Sequence, residues 1–549
     1  MIFKKFETMQ LRGNIVDVKT KSIFAGSIDI ENGKIIKIEK HDAAYSNYIL
    51  PGLINAHVHI ESSMLSPASF AHVVVKHGTV ATVSDPHEIA NVLGVEGIDY
   101  MIESASTVPL KIFFGAPSCV PATSFETSGA TIDALKVEQL LQRKDIWYLS
   151  EMMNFPGVIY NDAEVHAKIK ASHQHKKPVD GHAPYLTGDG LVSYAKAGIS
   201  TDHECVDIQE ALAKIELGIK VQIREGSAAK NFDALHTLIS SHPDMVMLCT
   251  DDSHPDDLQK GFINQLVKRA LQKGHQFFDV LKAVSSNIIS HYQLPVGQLQ
   301  VGDSADFIII DNIEDFNILS TYIDGVQVFD GKNTQFDIPI AESINRFDRT
   351  PLENVALVHT FKKGQTIKII EAYDGDLTTG SFGYTIQNDT PNFESDLNAD
   401  ILKIVVLSRY DQSPPQIAYI NGFGLKQAAF ASSIAHDSHN IVAIGSNDND
   451  LLAAINGLIR QKGGIFFAQN EHQLGLPLEI AGLMSNKAID EVTQRYEQIN
   501  QAIKASGSKL YAPLMTAAFM SLLVIPKLKL SDKGLFDVET FSFTSLHMD

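Results

Sequence analysis

The chain has 549 residues, 44% hydrophobic and 20% charged, an ordinary globular composition with length for more than one domain. A net charge of −20 makes the chain a poor candidate for a nucleic-acid surface, which needs a basic patch, and favours a neutral or cationic small substrate over a polyanion. Three cysteines (Cys119, Cys205, Cys249) make no disulfide framework, no run of about 18 apolar residues predicts a membrane span, and residues 1–7 show no apolar signal segment, so a cytoplasmic chain is expected.

Residues 9–50 read as short strands, with Asn32-Gly33 as a hairpin turn. From residue 51 short apolar runs alternate with longer amphipathic segments. Eight strands are predicted, over 49–60, 78–85, 109–115, 146–151, 179–182, 199–203, 220–224 and 245–251. Helices fit between them, over 67–76, 88–104, 132–142, 207–217 and 232–240 among others. Eight such units match the usual size of a (β/α)8 barrel, about 250 residues. A doubly wound open sheet fits less well, because it gathers its polar residues at one switch point. Here they recur at nearly every strand end.

After the barrel, 294–311 and 321–331 are β-like again and are expected to rejoin the N-terminal strands. Strands at 403–407 and 441–444 follow, then a helix over 449–462 stopped by Gly463-Gly464. The expected architecture is α/β. A (β/α)8 TIM-type barrel spans 51–295. A small composite β-sandwich domain joins 1–50 to 296–344. A C-terminal α/β (α+β) domain fills 345–549.

The chemistry-bearing residues fall where such a barrel keeps its active site, at the C-terminal strand ends. Pro51-Gly-Leu-Ile-Asn-Ala-His57-Val-His59 ends strand 1 with two histidines two apart. On a strand, i and i+2 point to the same side, so both imidazoles can reach one metal ion. Strand 2 ends in Asp85-Pro-His87-Glu88, strand 4 in Glu151 and strand 5 in His182. Strand 6 ends in Asp202-His203-Glu204 and strand 8 in Asp251-Asp252. Histidine and carboxylate donors suit zinc, iron or manganese rather than calcium. Taken singly, each has a plain reading. His57 and His59 could be a buried hydrogen-bonded pair. Asp85 to Glu88 and Asp251 to His254 could cap helices, and Glu151 could be a helix-start carboxylate. Together they point to a metal-dependent hydrolase. Cys205 and Cys249 read as buried packing residues.

The order β-unit, Pro-Gly-Leu-Ile-Asn-Ala-His-Val-His, barrel, Gly302-Asp-Ser-Ala-Asp306-Phe resembles the amidohydrolase superfamily. His57-Val-His-Ile-Glu-Ser-Ser-Met-Leu65 and Asp85-Pro-His-Glu-Ile-Ala-Asn-Val-Leu-Gly94 are more specific and resemble the adenine deaminase family. So do Glu151-Met-Met-Asn-Phe-Pro-Gly-Val158, Gly181-His-Ala-Pro184, Thr201-Asp-His-Glu204 and Cys249-Thr-Asp-Asp-Ser-His254. Gly422-Phe-Gly-Leu-Lys426, Ala435-His-Asp-Ser-His-Asn440 and Gly534-Leu-Phe-Asp-Val538 extend the likeness to the last domain. The resemblance implies hydrolysis of adenine to hypoxanthine and ammonia, in purine salvage, with two Mn2+ or Fe2+ per site and Zn2+ less favoured. Another amidohydrolase, cleaving a cyclic amide or N-acyl compound, is the alternative. Many relatives carry a carboxylated lysine at the end of strand 4; here Glu151 takes that place. His57, His59, Glu151 and Asp251 are then expected on one ion, and Glu151, His182 and His203 on the other. Asp251 is expected to take the proton of the attacking water. Glu88, with Asp85 and His87 beside it, is expected as the second acid, or else these three form a further metal cluster. His436 and His439 could touch the purine or belong to an internal polar network. A homodimer is expected, with neither membrane nor nucleic acid as partner.

Overall fold

The computed structural model describes residues 8–227 and 229–548; the stretch 1–7, read above as lacking a signal segment, lies outside the described residues. Strands β1 (Met9–Asp17), β2 (Ser22–Glu31), β3 (Lys34–Lys40) and β4 (Tyr48–Pro51) open the chain. Asn32 (φ 50°) and Gly33 (φ 77°) make the β2–β3 turn, with the two positive φ values a type I′ hairpin requires.

The predicted first strand, 49–60, is two strands. β4 belongs to the N-terminal sheet, and β5 (Leu53–His59) opens the barrel. Gly52 divides them. A Cβ there would lie 2.3 Å from Val80, so only glycine lets the chain pass so close to the neighbouring strand. β6 (Thr79–Ser84), β7 (Lys111–Ala116), β8 (Ile146–Met152) and β9 (Val179–Gly181) follow in parallel beside β5. β10 (Thr201–Asp202), β11 (Lys220–Arg224) and β12 (Val246–Cys249) continue the order, with Val179 bridging Ile199 between β9 and β10. β13 (Asp251–Asp252) resumes the eighth strand and pairs with β5, which closes the barrel. Every residue of β5 and β6 is buried, as parallel strands covered on both faces must be.

Two predicted helices differ. The span 88–104 is broken into His87–Leu93 and Val95–Ala105 by Gly94, whose φ of 66° cannot continue a helix. The span 232–240 is likewise two short helices, Phe232–Leu235 and Leu238–Ser241.

β14 (Phe307–Ile310), β15 (Ile318–Ile323) and β16 (Val326–Phe329) return to β4, giving a seven-stranded sheet β16-β15-β14-β4-β1-β2-β3. The sheet folds over on itself, since Lys34 bridges Ser304, around Ile15, Ile28, Ile30, Phe307 and Tyr322.

A mixed sheet forms the C-terminal part: β17 (Thr366–Ala372), β18 (Thr379–Thr385), β19 (Leu402–Leu407), β20 (Gln416–Asn421), β21 (Ala429–Ser432), β22 (Ile441–Gly445), β23 (Gly464–Gln469) and β24 (His472–Pro477). The helix Asp448–Arg460 starts on an Asn447 cap and covers one face through Leu451, Ala454, Ile455 and Leu458. The other face, including Ile404, Val406, Ile420 and Ile444, shares one continuous core with the barrel. The C-terminal part is therefore seated on the barrel by apolar burial. Among the described residues, no helix is long and apolar enough to cross a membrane. The three cysteines are buried and unbridged.

Candidate metal centre

His57 and His59 share one face of β5, and their Nε2 atoms stand 3.1 Å apart. Asn55, two residues earlier, accepts from the backbone N–H of Thr250 and ties the strand to the end of β12. His59 Nδ1 faces the carbonyl of Asp85 at 3.2 Å, an outer contact that orients the ring. Glu151, at the end of β8, lies between two groups of imidazoles. Its Oε1 is 3.1 Å from His59 Nε2 and 3.3 Å from His87 Nδ1. Its Oε2 is 2.8 Å from His182 Nδ1 and 3.2 Å from His203 Nε2. Asp251 Oδ1 is 3.5 Å from His57 Nε2 and 3.2 Å from His59 Nε2. Asp251 holds φ 57°, a left-handed backbone that aspartate tolerates better than most residues.

Asp85 Oδ2 lies 2.9 Å from His87 Nδ1, and Glu88 turns towards His436 and His439 of the C-terminal part. All nine sequence-predicted site residues thus meet around one chamber at the barrel mouth. The plain readings of Glu151, Asp85 and Asp251–Asp252 fare differently in place. Glu151 is in a strand and starts no helix. Asp85 does accept from the His87 backbone N–H at 3.1 Å, while facing the His87 ring as well. Asp251 and Asp252 pair with β5, and the next helix is capped by no side chain.

Arg224 carried no signal beyond ending strand 7. It donates to Glu204 through both terminal nitrogens and to Asp251 Oδ2 at 2.6 Å. Its position at a strand end, level with the other site residues, was the available clue. Met153, Leu377, Phe519, Leu522 and Ile525, which carry no motif, complete the chamber wall, four of them from the C-terminal part.

The electrostatics favour cations. Six carboxylates line the chamber against one permanent cation, Arg224. Burial alone would push the Glu151 carboxyl up, but hydrogen bonds from His182, His203 and His59 hold it well below the usual range. Burial likewise opposes ionisation of Asp251, and the Arg224 guanidinium with His57 and His59 overrides it. Burial would lower His203, yet Glu151 and Glu204 push it up to about 10. A field that draws protons onto buried imidazoles also draws divalent ions.

The donors fit such ions. Bonds of about 2.1 Å set neighbouring ligand atoms about 3.0–3.4 Å apart, close to the separations among His57, His59 and Asp251 and from Glu151 to His59 and His203, with Glu151 nearer His182 at 2.8 Å and farther from His57 at 3.9 Å. Among the compact groups able to hold a metal are His57–His59–Asp251 and His182–His203–Glu204, with one oxygen of Glu151 turned to each, and a further one joins Asp85 and His87 to His59 and Glu151. Glu204 was not among the expected ligands.

The chamber is small, with a volume of about 30 Å³. Through Met153 it adjoins a cavity of about 940 Å³ between the barrel loops and the C-terminal part.

Known proteins match along the length of the chain. An amidohydrolase family model matches residues 48–328, and an adenine deaminase C-terminal domain model matches 376–542. An adenine deaminase of Methanosarcina mazei is 51% identical over 98% of this chain and 99% of its own length. One from Parabacteroides distasonis is 48% identical over 98% and 99%. Among solved structures, a beta-aspartyl dipeptidase of Fervidobacterium islandicum overlaps with a TM-score of 0.46 at 16% identity, covering 60% of this chain and all of that one. The chain belongs to the adenine deaminase family, within the amidohydrolases.

Proposed function

We propose that this chain hydrolyses adenine to hypoxanthine and ammonia at the barrel mouth, with His57, His59, Glu151 and Asp251 holding one divalent cation and Glu151, His182 and His203 the other. The observation that carries the reading is the likeness to adenine deaminases along the whole chain, C-terminal part included. Two Mn2+ or Fe2+ ions there would lower the pKa of water from 15.7 towards about 7, supplying a nucleophile at neutral pH.

The chain's own residues then manage two protons. Water attack at C6 and loss of the amine leave one water proton on the ring nitrogen beside C6 and the other on the departing ammonia. Asp251 is suited to take the first proton. Arg224 pins its Oδ2, which leaves Oδ1 directed at the histidines. Glu88 carries a proton to the ring nitrogen. Burial would push its carboxyl up, but His436, His439 and His87 hold it well below the usual range, so it is ionised at rest and gives a proton only after taking one. Asp85 orients His87, whose ring lies between Glu151 and Glu88. General acid–base help of this kind is worth about 10²–10⁴-fold.

A purine entering this small chamber would meet Leu377, Phe519, Leu522 and Ile525, which line it from the C-terminal part. The neighbouring cavity is the approach route. The division into a composite β body (1–50 and 296–344), a barrel (51–295) and a C-terminal domain (345–549) is supported by β14 pairing with β4. We place the protein in cytoplasmic purine salvage, acting as a homodimer.

The test combines elemental analysis with ammonia release. Purified protein should contain manganese or iron and release ammonia from adenine, while leaving hydantoin and dihydroorotate intact. Activity on the cyclic amides without activity on adenine would overturn the reading.

A further inference from the structure

The segment 433–440 of the C-terminal part reaches across to the barrel. His436 Nδ1 lies 2.6 Å from Glu88 Oε1, and His439 Nε2 is hydrogen-bonded to Glu88 Oε2. All three side chains are buried. Glu88 and His436 are 348 residues apart in the chain, so the contact exists only because the C-terminal part covers the barrel mouth. The same three residues could in principle hold a cation, but the geometry argues for direct bonding. The His436 contact at 2.6 Å is shorter than any imidazole–carboxylate contact among the ligands assigned to the two ions, the shortest of which is 2.8 Å, and it has the length of a charge-assisted hydrogen bond.

The two imidazoles are themselves fixed. The His436 backbone N–H donates to Ala518 O at 2.9 Å, and its ring stacks on Phe519 with centroids 4.4 Å apart. Tyr410 donates to Ser438 O at 2.6 Å, and buried Arg409 donates to His439 O at 3.4 Å and Ala481 O at 2.7 Å. A glutamate between such anchors loses the side-chain freedom it would have on an open barrel.

We propose that His436 and His439 are positioning residues for deamination: they clamp both oxygens of Glu88, so that the C-terminal domain completes the barrel's active site. The inference rests on the proton-carrying role given to Glu88 above. Misplacing a reacting group by about 1 Å costs about 100-fold in rate, which sets the size of effect to look for.

The experiment is steady-state kinetics on adenine with the manganese-loaded, full-length enzyme, alongside metal content. His436→Ala and His439→Ala should each keep the parent's manganese, hold KM within about threefold and lose about 100-fold in kcat. His436→Asn and His439→Gln should recover most of that loss, because their amide nitrogens stand where Nδ1 and Nε2 stood. His436→Phe keeps the stacking on Phe519 but donates nothing, and should match the alanine variant; it serves if that variant does not fold. Glu88→Gln/His436→Ala should be no slower than Glu88→Gln alone. Alanine and phenylalanine variants with parental kcat, or a double variant showing the product of both single losses, would overturn the clamp. So would manganese lost from His436→Ala and kept in His436→Asn in proportion to activity, which would make the cluster a metal site. Parental kcat in Glu88→Gln would instead remove the role of Glu88, which distinguishes the two failures.

Discussion

Glu151→Gln bears most directly on the metal centre. The wild-type carboxylate presents one oxygen to His59 and His87 at 3.1 and 3.3 Å and the other to His182 and His203 at 2.8 and 3.2 Å. Glutamine keeps that shape but carries one acceptor oxygen and one NH2 donor. In either orientation the NH2 faces a pair of imidazole nitrogens that need an anionic neighbour to share a cation. One negative charge also leaves both halves of the site. Loss of a contact one shell further out costs about 10–100-fold in metal affinity. A shared direct ligand should cost at least the upper figure for each ion, about 2.8 kcal/mol. Equilibrium dialysis against Mn2+ with elemental analysis measures this, and ammonia release at saturating adenine follows activity. At manganese concentrations that saturate the parent, the variant should hold half its content or less, and turnover should fall with it. Glu151→Asp is the control. It keeps the charge but withdraws the carboxylate by one carbon–carbon bond, about 1.5 Å, so it can serve one histidine pair and not both. A glutamine variant with the parent's manganese content and affinity would refute the bridging argument outright.

Arg224→Met removes the one permanent cation among the chamber's six carboxylates. Leaving buried Glu204 and Asp251 uncompensated should cost about 3–5 kcal/mol in chelated protein, and bound manganese should restore part of it. The drop in thermal midpoint should therefore be larger with chelator than with manganese, and equal drops would contradict the electrostatic account. Exhaustive chelation should abolish ammonia release, with Mn2+ or Fe2+ restoring it; normal turnover by the stripped protein would remove the metals from the mechanism. Lys529 is buried and donates to the carbonyls of Leu377 and Phe519, both in the chamber roof. Burial lowers its pKa to about 7, below the value of about 10.4 for an exposed lysine. Between those values the unfolded chain binds more protons, so folding becomes more favourable as pH rises through that window. Denaturation midpoints from pH 7 to 10 should thus rise in the parent relative to Lys529→Met, by on the order of a few kcal/mol, and a flat difference would show that Lys529 stays charged when buried.

The barrel was legible because its signals are local. Strand ends, apolar runs and the His57-x-His59 spacing depend on backbone periodicity, and the structure brings His57, His59, His87, Glu88, Glu151, His182, His203 and Asp251 together at the barrel mouth, while Asp202 pairs with Lys214 instead. The misread boundaries have local causes that propensity does not report. Gly52 and Gly94 act through a close approach to Val80 and through a positive φ, and both depend on neighbours distant in the chain.

Periodicity says which side of a strand a residue faces, and composition says that an acidic chamber will attract cations. Neither says what stands opposite. That Arg224 ties Glu204 to Asp251, that Glu88 meets two histidines nearly 350 residues away, and that Leu377, Phe519, Leu522 and Ile525 roof the site were decided by closure of the barrel and by apolar packing of the C-terminal sheet against it. Such contacts are fixed by burial, which carries no direction along the sequence, so only the assembled fold selects the partners.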